Sequence, residues 1–382
     1  MKSNLLNDEL TIYLVGEVNS GNAGDVEKEI DEIIEGQSFK KLILDLEKLD
    51  YISSAGLRVV LKLKQKWKNV ELINAKLEVY DIFNMTGFTN MMVVRKAYKN
   101  IDVSGAELIG EGYFSYVYRI DKDTIIKVFK RAEKVEEVER ELNLAKQAFV
   151  LGVPTAISFD IVKVNDKYGV RFEMLDSKSL RDCIRDDLDN LDKYLDSYAD
   201  LLIKINTTES LDDQLPDSKK EWLKKLEVIK PNIEESVYKK CRALLETIPY
   251  ATTFVHGDCH VKNIMCRDNE LLLIDMDTLS YGHPIFELAA VYAPYKAFEE
   301  DDPGNCARFM GLSAEVTDRI YNGLLQRCVK NLDDAKKDKI KIVSYIHMLW
   351  WNRVNEPQND KRFNGCKGRL LQLIDNYNDL IL

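Results

Sequence analysis

The segment His256-Gly257-Asp258-Cys259-His260-Val261-Lys262-Asn263, followed by Ile274-Asp275-Met276-Asp277, constrains this chain more than any other stretch. It sets a carboxylate, an amide and two further carboxylates at short intervals inside a run of strands and turns. A fold that uses them must gather them in one cleft. Asp258 is suited to accept the proton of an acceptor hydroxyl or to orient that hydroxyl, and Asn263 and Asp275 offer hard oxygens of the kind Mg²⁺ prefers. Asp277 is either a second metal ligand or a turn-forming Asp. The rival local readings are thin. His256, Cys259 and His260 lack the further Cys or His that would complete a tetrahedral zinc site. Cys259 has neither a dedicated base nor an orienting group beside it, and His256 reads as a hydrogen-bonder of the loop.

The order H-x-D-x-x-x-x-N, then Asp, is that of a kinase catalytic loop and its metal-binding Asp. Upstream lies a glycine-rich loop, Ile109–Val117 (IGEGYFSYV), in which Gly110 and Gly112 are present and Ser115 replaces a third glycine. Lys127 follows on the strand-like run Thr124–Lys130 (TIIKVFK), placed to hold nucleotide phosphates. Such a lysine needs an acidic partner, and the helical pattern over Glu133–Val150 offers Glu141 first and Glu139 second. No G-x-x-x-x-G-K-[ST] pattern occurs, which excludes a P-loop nucleotide site.

With 382 residues, two or three domains are expected, and residue usage divides the chain. Residues 1 to about 100 hold no Cys and no His, and every Cys lies from Cys183 onward. The first hundred residues alternate strand-like and helix-like runs: Leu10–Val15, Asp25–Ile34, Lys41–Leu46, Leu57–Trp67, Val70–Ile73 and Leu77–Met85. That order predicts a sheet covered by helices, with a boundary near Asn100–Ser104. The second part begins with strands (Leu108–Ile120, Thr124–Lys130, Ile157–Val164, Val170–Met174, with a turn over Asn165–Gly169). It is helical from Leu180 to about Leu245 and again from Ala289. A formal net charge of -10 argues against nonspecific nucleic-acid binding. The absence of a long apolar run predicts no membrane-spanning helix, and seven scattered Cys without a C-x-x-C pair suit free thiols in a cytoplasm.

Between a strand and a helix sits Asp50-Tyr51-Ile52-Ser53-Ser54-Ala55-Gly56-Leu57, where Ser53 or Ser54 caps the helix. Together with KLILDL, VELINA and YDIFNMTGF, this turn resembles the STAS domain of bacterial anti-sigma-factor antagonists over most of residues 5–95. The resemblance implies phosphorylation by a partner kinase at the serine two places before the glycine, here Ser54, although Ser53 stands where the family often has Asp. HGDCHVKN with LLIDMDTLSYGHPIFELA and GVPTAISFDIV resembles the aminoglycoside phosphotransferase and choline kinase families over about 108–295, with Glu287 in place of their closing Asp.

These resemblances imply an α+β protein: a STAS α/β domain at 1–100, a linker at 101–105, and a two-lobed protein-kinase-like domain at 106–382. The small lobe would run over about 106–175 and the helical lobe over about 176–382. ATP and Mg²⁺ are the implied cofactors, with backbone groups of Glu173-Met174-Leu175 binding adenine and a small-molecule acceptor lodged between Leu180–Asn232 and the tail helices. Tail aromatics Tyr345, Trp350 and Trp351 read as core. An anti-sigma-type kinase or another signalling protein is the implied partner of the first domain; neither nucleic acid nor membrane is expected. The alternative is a signalling protein whose kinase-like domain senses a nucleotide or metabolite. A third reading has the kinase domain acting on Ser54 of its own chain.

Overall fold

Asn7 and Asp8 both take left-handed backbone conformations (φ 48° and 65°), as the two central residues of a tight hairpin require. In this computed structural model the hairpin joins β1 (Lys2–Leu6) to β2 (Glu9–Val18) in antiparallel register. The structure describes residues 1–112, 114–131, 135–210, 215–268 and 270–382. Strand β1 carries no sequence signal, because all five of its residues are exposed and show no alternation of apolar side chains.

The chain divides into two compact units, Met1–Ile101 and Asp102–Leu382. In the first, β2, β3 (Lys41–Ile52), β4 (Val70–Ala75) and β5 (Val93–Lys96) run parallel, in the order β1-β2-β3-β4-β5. Helices α1 (Ala23–Ile34), α2 (Ser54–Lys66) and α3 (Leu77–Met85) make the connections. Central strand β3 is buried on both faces over Leu42–Leu46, where the sequence indicated one apolar face. It also continues six residues beyond the expected end, through Glu47, Lys48 and Asp50, whose polarity hid the strand. A Cβ on Gly56 would lie 2.7 Å from Ile52 Cγ1 and 2.8 Å from Val18 Cγ1. Only glycine therefore lets the first turn of α2 rest on the ends of β2 and β3, which fixes the serine turn there.

The second unit opens with antiparallel strands in the spatial order Ser158–Val164, Lys167–Glu173, Thr124–Phe129, Ser115–Arg119, Glu107–Glu111. The turn after Val164 is shorter than expected: Asn165 and Asp166 alone make it, and Gly169 is a strand residue opposite Val128. Helix α4 (Val135–Val150) packs Val138, Leu142, Ala145 and Ala148 inward. Each fully buried larger apolar side chain contributes about 1.5–3 kcal/mol. Tyr113 of the glycine-rich loop and Glu133, where the sequence starts the helix, lie outside the described residues. Helices Leu180–Asp186, Leu191–Thr207, Ser218–Ile229 and Glu235–Glu246 follow, and the tail packs Ala314–Cys328, Asp334–Asn355 and Asp360–Ile374 around one large core. Tyr345 is buried in that core, while Trp350 and Trp351 are half-buried, Trp351 against Phe298. Among the described residues no helix is long and apolar enough to cross a membrane.

Candidate active site

Lys127 lies on the central strand Thr124–Phe129, between Val117 and Val170, so its side chain is aimed by pairing on both sides. Its Nζ donates to Glu141 Oε1 at 2.7 Å and to Asp275 Oδ1 at 2.6 Å. Glu141 thus holds the lysine from α4; Glu139, two residues earlier and so on another face of the helix, is not in that pair. Burial opposes the charge on Lys127, but Asp275 and Glu141 outweigh it and hold the ammonium well above its usual range. Asp275 pays for burial as well, yet the Lys127 charge keeps its carboxyl below the ordinary value. Burial raises Glu141.

Carboxylate oxygens of Glu141, Asp275 and Asp277 lie within 4.8 Å of one another. Three carboxylates around one ammonium leave excess negative charge, and the surrounding cleft together with the Asp275 charge pushes Asp277 above the carboxylate range, although its side chain still meets solvent. Such a donor set fits a hard divalent cation. Asp275 reaches the cluster through a left-handed backbone (φ 69°) that opens the short turn Met276–Thr278.

The Asp258 loop is rigidly held. Gly257 has φ +82°, and a Cβ there would sit 3.1 Å from Thr278 O. His256 Nε2–H donates to Ile274 O at 3.2 Å while its Nδ1 accepts from the Asp258 amide at 3.3 Å. This ring is neutral, its pKa lowered by burial to about 4. Glu287, fully buried, accepts from the His256 amide at 2.5 Å and the Gly257 amide at 3.2 Å, and burial pushes it up to about 7. Its longer side chain fills the supporting position noted in the sequence. Asn263 Nδ2 donates to Asp258 O and Oδ2, both at 3.0 Å, which turns its amide oxygen the other way. Enclosure in the cleft and the nearby Asp275 push Asp258 up to about 8, although 42% of its side chain still meets solvent.

In the glycine-rich loop neither Gly110 nor Gly112 has a left-handed φ, and a Cβ at either would meet only ordinary contacts. Backbone conformation does not demand glycine there. Ser115 is buried at the start of its strand, and its carbonyl accepts from the Gly112 amide at 2.9 Å. Glu173 turns its side chain away, accepting from the Ile157 amide at 2.8 Å, and the Met174 amide donates to Asp123 O at 2.8 Å. Leu175 packs with Ala156 and Leu272 in a small apolar cluster.

Several supports had no sequence signal. Tyr295 Oη accepts from the Val261 amide at 2.8 Å, Tyr198 Oη donates to Cys259 O, and Thr278 Oγ1 donates to His256 O at 2.6 Å. Each partner lies 22 to 61 residues away in the chain, so no local motif could reveal it. Cys259 is fully buried with its thiol pushed well up, which leaves no nucleophile there.

In the first unit the two serines separate. Ser53 is the cap of α2, its Oγ accepting from the Ala55 amide at 3.2 Å and the Gly56 amide at 3.5 Å. Ser54 is the first helical residue and is exposed.

Residues 105–311 match the family model of the phosphotransferase enzyme family, and residues 4–109 match that of the STAS domain. A Bordetella bronchiseptica protein named an anti-sigma factor antagonist, BtrV, is 39% identical over 89 residues, covering 22% of this chain and 76% of that protein. Among solved structures, the GDP complex of wild-type aminoglycoside 2'-phosphotransferase-IIIa is similar at 14% identity and a TM-score of 0.48, over 78% of this chain and 98% of that one. A choline/ethanolamine kinase family protein from Mesorhizobium loti gives 14% identity and a TM-score of 0.43, over 70% of this chain and 86% of that one.

Proposed function

Because the chain belongs to the phosphotransferase enzyme family and carries a STAS domain ahead of it, we propose that it transfers the γ-phosphoryl group of Mg-ATP to a hydroxyl of a small molecule, with the STAS domain as a fused signalling module. In this reading residues 1–100 are the signalling module, 101–105 the linker and 106–382 the transferase. The observation that carries it is the chain of contacts from Glu141 through Lys127 to Asp275, with a solvent-reachable Asp258 close enough to feel the Asp275 charge.

Lys127, fixed from two sides, presents its ammonium to the nucleotide phosphates beneath Gly110, Gly112 and Ser115. Backbone groups of Glu173–Leu175 receive the adenine, with the Leu175 cluster as its apolar floor. Asp275, the Asn263 amide oxygen and Asp277 would hold Mg²⁺, which when bound offsets the negative charge of the transferring group. Asp258 orients the acceptor hydroxyl and takes its proton as the new O–P bond forms and the bond to the bridging oxygen of ADP breaks. Asn263 keeps Asp258 aimed through its two hydrogen bonds.

The similarity to an anti-sigma factor antagonist and the exposed Ser54 favour a second role beside catalysis. The first domain would dock a signalling partner, and a phosphate on Ser54 would weaken that docking by adding charge at the surface. Phosphoryl transfer from labelled ATP, with and without acceptors and with and without Mg²⁺, is the test. Transfer to a small acceptor that needs Mg²⁺ is the expected result. Transfer that ignores Mg²⁺ or survives loss of Asp258 would refute the assignment, and label on Ser54 alone would move the activity to the chain itself.

A further inference from the structure

The surface beside Asp258 carries the opposite charge to the metal cluster. Lys262 sits four residues after Asp258 in the same loop, half-buried. Its Nζ donates to Phe309 O at 3.2 Å and lies 4.3 Å from the centroid of the Phe309 ring. No carboxylate pairs with it among the described residues, and Asp258 and Arg181 are the charges it feels. Arg181 stands behind it: the Arg181 amide donates to Val261 O at 2.9 Å, and its guanidinium pairs with Asp182 at 2.9 Å while reaching Gly311. Both cations therefore converge on the segment 309–311, where Phe309 is 41% exposed. His260, packed edge-on against Phe309, adds no charge, since burial lowers its pKa to about 4.

The acidic run Glu299–Asp302 of the helical lobe is consumed internally. Glu300 and Asp301 pair with Arg369, Asp302 with Arg308, and Glu299 accepts from the Gly304 and Cys306 amides. The carboxylates of that run are therefore already occupied by partners of this chain.

We propose that the acceptor is a hydroxyl compound bearing an anionic group, which Lys262, backed by Arg181, binds while Phe309 covers its apolar side. This rests on the phosphotransferase reading above and names its substrate class. An ammonium beside the proton-accepting residue whose partners are a carbonyl and a ring, and no carboxylate, keeps its charge available to an anion. The γ-phosphate of the nucleotide is the other anion within the same chemistry, and separate kinetics distinguish the two.

The test uses the full chain and ADP release with three pairs of acceptors: D-glycerate and D-gluconate, glycerol and D-glucose, choline and kanamycin. The anionic pair should be preferred. Lys262→Met should raise the KM of the anionic acceptor by about tenfold or more, the loss of one charge-assisted hydrogen bond. Lys262→Arg should restore most of it, and the KM for Mg-ATP should move by less than about twofold. Preference for the cationic pair overturns the proposal, as does a change confined to the KM for Mg-ATP. If no acceptor turns over, calorimetry of D-gluconate with the Mg-ADP complex separates the two ideas. Binding that Lys262→Met abolishes keeps the anion site, while the phosphoryl-transfer reading is decided by the labelled-ATP assay above; absence of binding overturns the anion site.

Discussion

Replacing Glu141 by Gln should divide stability from nucleotide handling. Removing one partner of a buried ion pair normally costs about 3–5 kcal/mol, because the other charge is stranded. Here Lys127 is not stranded, since Asp275 remains at 2.6 Å. The substitution also removes a carboxylate that is 3% exposed and whose charged form burial disfavours. The two effects nearly cancel, so unfolding of the second unit should shift by no more than about 1 kcal/mol. Nucleotide handling should not escape. A charge-assisted hydrogen bond contributes about 1.5–3 kcal/mol and a neutral one about 0.5–1.5, so the ammonium loses about 1–1.5 kcal/mol of hold on its α4 side. Lys127 then follows Asp275 and leaves the phosphates less well met. That corresponds to a fall of about tenfold in kcat/KM for Mg-ATP, and up to about a hundredfold if the lysine swings. Steady-state kinetics and calorimetric unfolding of the same preparations read both quantities. A large loss of stability with kcat/KM unchanged would show that Glu141 only braces α4 against the sheet, and the reasoning would fail.

Asp258→Ala should lower transfer by about 10²–10⁴, the usual contribution of a positioned base, while Mg-ATP affinity measured by calorimetry changes little; near wild-type turnover would remove Asp258 from its role. Gly257→Ala forces a side chain into a left-handed backbone and 3.1 Å from Thr278 O, so a destabilisation of at least about 1–2 kcal/mol is expected in denaturant melts. Ser53→Ala should cost the first unit about 1 kcal/mol as a lost helix cap, whereas Ser54→Asp should leave its unfolding almost unchanged; equal effects would contradict the cap assignment. Glu287 supplies a pH signature. Its folded pKa of about 7 lies above the usual 4.5, so its contribution is fully present below pH 4.5 and is lost as pH rises through 7, by about 3 kcal/mol in all. Glu287→Gln should flatten that slope, and an unchanged slope in pH-dependent melts would disprove it.

Features written contiguously in the chain were legible. Asp258, Asn263 and Asp275 fall within one short stretch, and the structure brings them round one cleft with Lys127. That an acidic partner for Lys127 comes from the next helix was legible, whereas the choice of Glu141 over Glu139 is made by the geometry, in which Glu141 is buried against the ammonium. The choice between Ser53 and Ser54 was not legible, since both residue types cap helices and only the geometry separates them. Strand β1 and the end of β3 escaped because edge and polar positions carry no periodic burial. The contact of Lys262 with Phe309 spans 47 residues, and pairing at that range leaves no trace in a single sequence.

The adjacent serines of the first unit have a wider consequence. The hydroxyl that secures α2 is Ser53, which is half-buried, and its neighbour Ser54 is exposed and owes nothing to the helix. Position 54 is thus insulated from the fold: its chemistry can be rewritten without unwinding the element that presents it. A module arranged this way can change what it says to its surroundings while its architecture stays silent, and designers could recode residue 54 freely so long as residue 53 is left alone.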